Sequence, residues 1–242
     1  MIHALDHIVL AARDVNAATA DYETLLGRLC DTRAAFHLSN LSFVVAPQTG
    51  DMAEGLATLA FAVTDLDKAL SLAARRGLPA GAPQGDTALL SIEATHGVRV
   101  CLAERPAATD PPPSAADAAM SGLDHVVIRS PNPDRAVALY AGRLGLDLRL
   151  DRSNPDWGSR LLFFRCADLT VEIAHDLERG IGDGPDELWG LSWRVPDIDA
   201  AHARLAAAKV AVSEVRIGRR PGTRVFTIKD KVARVPTLVI GA

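Results

Sequence analysis

Short apolar runs recur along the chain, and each is followed by a polar turn and an alanine-rich stretch with helical spacing. Apolar runs of four to eight residues favour strands, whereas apolar positions three and four residues apart favour amphipathic helices. The predicted pairs of opening strand and helix are 5–11 with 16–27, 58–63 with 66–76, 123–128 with 134–144, and 191–195 with 198–209. Further strands are predicted at 41–46, 87–93, 97–103, 160–166, 169–174, 213–217, 223–228 and 235–240. The pattern therefore predicts four modules of the order β-α-β-β-β, and Asn16 and Asp134 are the expected N-caps of the first and third helices.

The modules are repeated in sequence as well as in pattern. Residues 5–10, LDHIVL, reappear as residues 123–128, LDHVVI, and the opening of the second module at 59–67 resembles that of the fourth at 191–199. A repeat at a fixed distance indicates two similar halves, each made of two modules.

The predicted boundaries follow from this repeat. An N-terminal domain is expected at 1–104 and a C-terminal domain at 122–242. The proline- and alanine-rich stretch 105–121 between them is interpreted as the linker.

Composition narrows the function classes. The chain has 242 residues, a formal net charge of -4 and three scattered cysteines. This charge gives no reason to expect nucleic acid, and no apolar run approaches the roughly 20 residues that span a bilayer. An odd number of scattered cysteines and an N-terminus without a basic leader pattern favour a cytoplasmic location. The expected partner is a small-molecule ligand, and a homodimer is left open.

The motif LDHhVh, the paired modules and the segment TVEIAHD at 170–176 together resemble the vicinal oxygen chelate superfamily. That group includes glyoxalase I, extradiol dioxygenases, methylmalonyl-CoA epimerase and bleomycin-type resistance proteins. The resemblance, which is strongest to two-domain glyoxalase-like proteins, implies an α+β fold with two cup-like domains and the helices outside. It leaves the reaction open, because one scaffold serves lyases, isomerases, dioxygenases and binding proteins.

In metal-dependent members of the superfamily, each cup holds up to four ligands from strands of its two modules. In the C-terminal half, His125 matches the first histidine and Glu172 matches an acid. The second histidine's position falls at or next to Gly190, and the strand 235–240 has no carboxylate. The resemblance implies a divalent metal, Zn, Fe, Mn or Ni, that is held weakly or is absent, since catalytic sites normally have about three protein ligands.

The N-terminal half resembles a degenerate partner of this site. His7 is present, but Val44, Thr58 and Cys101 occupy the positions of the other ligands. His7 is expected to be a structural histidine and Cys101 a small core residue. His175 is expected on the strand face opposite Glu172, in a solvated loop.

Candidate ligand contacts also lie in the C-terminal half. Trp157, Arg160 and Trp193 are expected beside the cup, although Trp193 equally fits a core position. Four arginines crowd one predicted hairpin of an otherwise acidic chain: Arg216, Arg219, Arg220 and Arg224. Arginine binds carboxylates and phosphates in bidentate fashion, and the alternative is a solvated hairpin.

These observations lead to two main hypotheses, beside a third, a purely structural or interaction role, that the missing ligand positions leave open. The first is an enzyme, of lyase, isomerase or dioxygenase type, that acts on a small oxygenated acid, with Glu172 as metal ligand or base. The second is a binding protein that sequesters a small molecule without chemistry. A metal-loaded His125–Glu172 pair favours the first, and a metal-free site with an aromatic lining favours the second.

Overall fold

The computed structural model describes residues 2–50, 52–106, 118–230 and 232–241. These residues form two β-sheets and four α-helices, so the predicted α+β class is confirmed. None of the helices in these ranges is long and apolar enough to cross a membrane.

The first sheet has six strands in the order β2-β3-β1-β4-β6-β5. Its strands and the two helices between them have these bounds: β1 Ile2–Ala12, α1 Val15–Leu26, β2 Ala35–His37, β3 Ser42–Pro47, β4 Gly55–Val63, α2 Leu66–Arg75, β5 Thr87–Leu89 and β6 Val100–Glu104.

The second sheet has eight strands in the order β12-β13-β14-β11-β7-β10-β9-β8. The elements of this half are β7 Gly122–Arg129, α3 Pro133–Val137, a π-helical continuation Ala138–Arg143, β8 Asp147–Asn154, β9 Ser159–Cys166, β10 Leu169–Asp176, β11 Glu187–Arg194, α4 Ile198–Ala207, β12 Arg216–Ile217, β13 Arg224–Ile228 and β14 Thr237–Gly241.

The β-α-β-β-β order is complete only in the third and fourth modules. In the described residues of the first two modules, two strands follow each helix instead of three. Within the described residues, the N-terminal half thus has two strands fewer than the C-terminal half, and its interpretation as a degenerate copy stays a prediction.

The helix caps differ from the predicted ones. Asp14, not Asn16, caps α1, because its extended backbone lets the side chain accept a hydrogen bond from Ala17 N at 3.0 Å. Asn132, not Asp134, caps α3 by accepting from Arg135 N at 3.0 Å. Aspartate and asparagine side chains can both accept the capping hydrogen bond. Which of two such residues caps the helix is therefore decided by the backbone conformation and not by the side chain.

The chain divides into two compact units, and each takes one module from each half. The first unit contains Met1–His7, Thr58–Thr109 and Val126–Trp189. The second contains Ile8–Ala57, Asp110–His125 and Gly190–Ala242. The division at 1–104 and 122–242 stays a prediction, and residues 107–117 of the predicted linker lie outside the described residues.

Each unit has its own apolar core. In the first unit, Tyr140 packs against Phe164 with ring centroids 5.7 Å apart, and both are fully buried. In the second unit, Phe43 lies 4.5 Å from Tyr22 and 5.5 Å from Trp193, measured between ring centroids. Aromatic clusters of this kind bury large apolar areas and fix the strands on which the candidate site is built.

Candidate functional site

An aspartate–histidine pair occurs at the same point of both sequence copies. In the first unit, His7 Nδ1 lies 2.6 Å from Asp6 Oδ2. In the second unit, His125 Nδ1 lies 3.0 Å from Asp124 Oδ2. A carboxylate in this position holds the imidazole in one orientation and favours the proton on Nδ1. The sequence had marked the two histidines but not the carboxylates that orient them.

Asp124 is the centre of a charged cluster in the second unit. Its residue is 7% exposed, and its Oδ1 accepts from Arg194 Nε at 3.1 Å and from Arg220 at 3.4 Å. Burial by itself raises the pKa of the Asp124 carboxyl. The hydrogen bonds from His125 and Arg194 and the charge of Arg220 outweigh it, and they hold this pKa well below its usual range. Asp124 is therefore a carboxylate at neutral pH.

The other arginines of the predicted cluster lie on β12, β13 and the turn between them. Arg224 donates to both carboxylate oxygens of Asp199, at 2.6 and 2.9 Å. Arg216 lies 3.4 Å from Thr227 Oγ1, and Arg219 is exposed on the same turn as Arg220. A ligand anion would have to compete with Asp199 for Arg224, so that arginine is the least suited of the four to bind one.

Arg160 and Trp193 have structural neighbours. Arg160 donates to Asp151 at 2.9 and 2.7 Å and to Asp134 at 2.9 Å, and these bonds raise the pKa of its guanidinium. Trp193 is 0% exposed and meets Phe43 edge-on. The core position that the sequence left open for Trp193 is the one it occupies.

Glu172 is half-buried on β10, in register with Phe163 of β9. Strand alternation places His175 on the opposite face, as expected. The expectation that His175 lies in a solvated loop is wrong. It is the second-last residue of β10 with 4% of its surface exposed, and its Nδ1 lies 3.0 Å from the carbonyl oxygen of Ser130. A buried backbone carbonyl needs a hydrogen-bond donor, and the His175 imidazole supplies one to Ser130, which fixes the orientation of the ring.

The donor set does not fit a metal centre with three protein ligands. In the described part of the chain, no group of three or more His, Cys, Asp or Glu side chains could hold a metal ion. At Gly190, at or next to which the resemblance places the second histidine, a Cβ atom would lie 3.0 Å from the carbonyl oxygen of Pro236. The backbone there leaves no room for a side chain without a shift of the chain. The pairing of His125 with Glu172 stays a prediction.

Cys101 on β6 is partly exposed, and burial raises the pKa of its thiol. Reactive cysteines have a lowered pKa, so this thiol is not an activated nucleophile.

A cavity of about 630 Å³ opens in the first unit, where β7 and β10 end. Trp157, one of the predicted ligand contacts, lies on its wall with 44% of its surface exposed. His175 and Arg129 also line it, and the Arg129 Cζ atom lies 4.1 Å from the centre of the Trp189 ring. Sequence reasoning missed Arg129. The signal was available, because Arg129 follows His125 by four residues on one strand and so shares its face.

The comparisons with known proteins agree with this architecture. Residues 124–227 match the family model of the Glyoxalase/Bleomycin resistance protein/Dioxygenase superfamily. Those residues belong to that superfamily, and the chain has the vicinal oxygen chelate fold. The resemblance inferred from LDHhVh and TVEIAHD is thereby confirmed. A comparison with curated protein sequences found no match.

Solved structures extend the similarity of fold over the whole length of this chain. A 2,2',3-trihydroxybiphenyl 1,2-dioxygenase from Sphingomonas wittichii strain RW1 has 14% identity and a TM-score of 0.72, covering 100% of this chain and 91% of the other. A mutant 4-hydroxymandelate synthase from Streptomyces coelicolor has 14% identity and a TM-score of 0.71, covering 99% and 92%. A catechol 2,3-dioxygenase has 17% identity and a TM-score of 0.67, covering 100% and 93%. At such identities the likeness shows the fold alone.

Proposed function

We propose that this protein is a small-molecule-binding member of the superfamily, and that its ligand occupies the cavity at the ends of β7 and β10. The observation that carries the proposal is the cavity itself, with Trp157 and Arg129 on its walls. Its volume of about 630 Å³ falls in the range of roughly 300–1,000 Å³ that is usual for such sites.

The donor set supports binding over metal-assisted chemistry. An enzyme of the predicted type needs a metal with about three protein ligands and an open position. Gly190 removes one donor, and β14 contributes no carboxylate. A binding protein needs only a shaped, partly apolar cavity with a few polar groups, and the first unit provides one.

The test is a ligand screen on the intact protein. A library of small carboxylates, phenols and amines is screened by thermal shift, because a ligand that binds only the folded state raises the melting temperature. The hits are then titrated by tryptophan fluorescence. We expect Trp157→Phe to weaken binding and to reduce the fluorescence response seen in the parent, because Trp157 lies on the cavity wall. A library that yields no compound with both effects argues against the proposal.

A second candidate function, acid–base catalysis, is favoured by the Asp124–His125 pair. A carboxylate that fixes an imidazole is a common arrangement for proton transfer and also for metal ligation. In this candidate, His125 and Glu172 would hold a divalent metal, Zn, Fe, Mn or Ni, and an oxygen of the substrate would have to complete the coordination. Arg219 and Arg220 would contact the acidic group of the substrate.

Elemental analysis of purified protein separates the two candidates. Binding alone predicts less than one divalent metal per chain and no change in metal content in His125→Ala or Glu172→Ala. Stoichiometric metal that is lost in both variants would establish the second candidate and displace the first.

A further inference from the structure

We infer that the cavity selects a small aromatic zwitterion, with Arg129 binding its carboxylate, Glu187 its ammonium group, and Trp157 its ring. The inference rests on the proposed function, because it names the ligand class of the same cavity.

Arg129 is suited to bind the anionic group of a ligand. Its guanidinium lies 4.1 Å from the centre of the Trp189 ring, a distance typical of a cation–π contact. The contact holds the Cζ atom over the ring, and the N–H edge of the guanidinium is the part that can bind an anion. In the residues that the structure describes, no carboxylate forms an ion pair with Arg129. A planar carboxylate ligand matches that edge in bidentate fashion.

The charges of the lining argue against a ligand that carries only an anion. Arg179 lies 3.3 Å from Asp176, so these two lining residues neutralise each other. The charged lining residues that remain are Arg129, Glu178 and Glu187. Neither glutamate has an ion-pair partner within the described ranges. The remaining lining has one positive and two negative charges. A simple carboxylate meets a net negative cavity, whereas a zwitterion finds a partner for each of its charges.

Both binding groups line the same cavity, and strand geometry places Glu187 near the ring that Arg129 covers. Glu187 and Trp189 lie two residues apart on one face of β11, which separates their Cα atoms by about 6.6 Å. Arg129 covers the Trp189 ring. An α-amino acid that makes one charge-assisted hydrogen bond of about 2.8 Å at each end bridges roughly 8 Å between the groups.

The aromatic wall is fixed before a ligand arrives. Trp157 ends a short 3-10 turn, Pro155–Trp157. The backbone N–H groups of Asp156 and Trp157 donate to the side-chain oxygen of Asn154 at 3.0 and 3.3 Å. Gly158 follows with φ 62°, a left-handed conformation that suits glycine. An exposed tryptophan on so rigid a turn provides apolar area that a ligand ring covers at a low entropic cost.

The experiment is isothermal titration of the intact protein with three probes of one shape: L-phenylalanine, 3-phenylpropionate and 2-phenylethylamine. We expect L-phenylalanine to bind at least about tenfold more tightly than either probe that lacks one charge. Arg129→Gln should remove the advantage over 2-phenylethylamine, and Glu187→Gln the advantage over 3-phenylpropionate. Arg149→Gln and Glu214→Gln are the matched controls, because these exposed residues lie outside the cavity lining and should leave all three affinities unchanged.

The outcomes separate this inference from the proposed function. Equal affinity for L-phenylalanine and 3-phenylpropionate overturns the ammonium contact and with it the inference. If no probe binds while the thermal-shift screen yields other ligands that depend on Trp157, the zwitterion class is wrong and the proposed function stands. Equal losses in Arg149→Gln and Arg129→Gln would also overturn the assignment, because the effect would then be one of overall charge.

Discussion

The loop before β11 is anchored by one buried ion pair, and breaking that pair should loosen the wall of the cavity. The Asp186 side chain is fully buried, and its Oδ1 lies 2.8 Å from an Arg135 nitrogen. The same Arg135 nitrogen donates to the carbonyl oxygen of Gly184 at 2.7 Å. Gly184 and Pro185 line the cavity, so the pair positions part of its wall. The informative perturbation is Asp186→Ala.

The magnitude follows from burial and from the bonds that survive. Removing one partner of a buried pair costs about 3–5 kcal/mol, because the other charge is left uncompensated. Two features place this pair at the lower end. The Arg135 side chain is 19% exposed and keeps its bond to Gly184, and Asp186 Oδ2 makes no hydrogen bond in the described residues. We therefore expect a loss of about 3 kcal/mol in the free energy of unfolding, or roughly 6–12 °C in melting temperature.

The assay is urea denaturation followed by circular dichroism, with Asp183→Ala as the matched control. Asp183 is exposed in the same loop, and its side chain makes no ion pair within the described ranges, so its removal should change the free energy by less than about 0.5 kcal/mol. A double-mutant cycle with Arg135→Ala isolates the pairwise part. An Asp186→Ala protein as stable as the control would refute the assigned role of the pair.

Three further predictions follow from single contacts. Trp193→Ala should lower the free energy of unfolding by about 3–5 kcal/mol in chemical denaturation, whereas the exposed Trp157→Ala should cost less than about 1 kcal/mol. Burial and nearby arginines lower the pKa of His96, whose Nε2 accepts a hydrogen bond from Arg143 at 3.1 Å. The unfolded chain therefore binds the proton more readily, so the stability from neutral His96 is present above about pH 6.5 and is lost as pH falls below it. Denaturation at pH 7.5 and 5.5 should show this loss in the parent and a smaller one in His96→Asn. Gly190→Ala should cost about 1–3 kcal/mol in the same assay, because its Cβ meets backbone at 3.0 Å, and an unchanged stability would remove the steric argument against a ligand there.

Strand positions could be read from the sequence where burial imposes a pattern. The predicted strand 169–174 lies within β10, because its alternate residues face the core and are apolar. The strand β8, Asp147–Asn154, was not predicted, since it is an exposed edge strand whose apolar alternation is limited to Leu148 and Leu150. The third helix continues as a π-helix over Ala138–Arg143. Its hydrogen bonds there join residues five apart instead of four, and no pattern of apolar residues in the sequence predicts that change.

The candidate site could be predicted only in its local part. The sequence indicated that His125 and Glu172 lie on strands and that Trp157 lies beside a ligand site, because each inference depends on neighbouring residues. It could not indicate that Arg220 reaches Asp124, which is 96 residues away, or that Arg224 is bound by Asp199. Such contacts depend on which strands become neighbours, and a single sequence contains no direct record of that.

The two aspartate–histidine pairs show why the motif alone is weak evidence for a metal. In both Asp6 and Asp124, one carboxylate oxygen contacts the Nδ1 atom of the next residue, a histidine. The other oxygen lies 3.1 Å from the Nε atom of an arginine. The arginines are Arg105 and Arg194, which occupy unrelated positions of the repeat. The same charge arrangement is thus completed by different arginines in the two halves of the chain. A partly buried carboxylate needs compensation whether or not a metal is present. The pair is explained by that need, so the function of the C-terminal half has to be argued from its cavity.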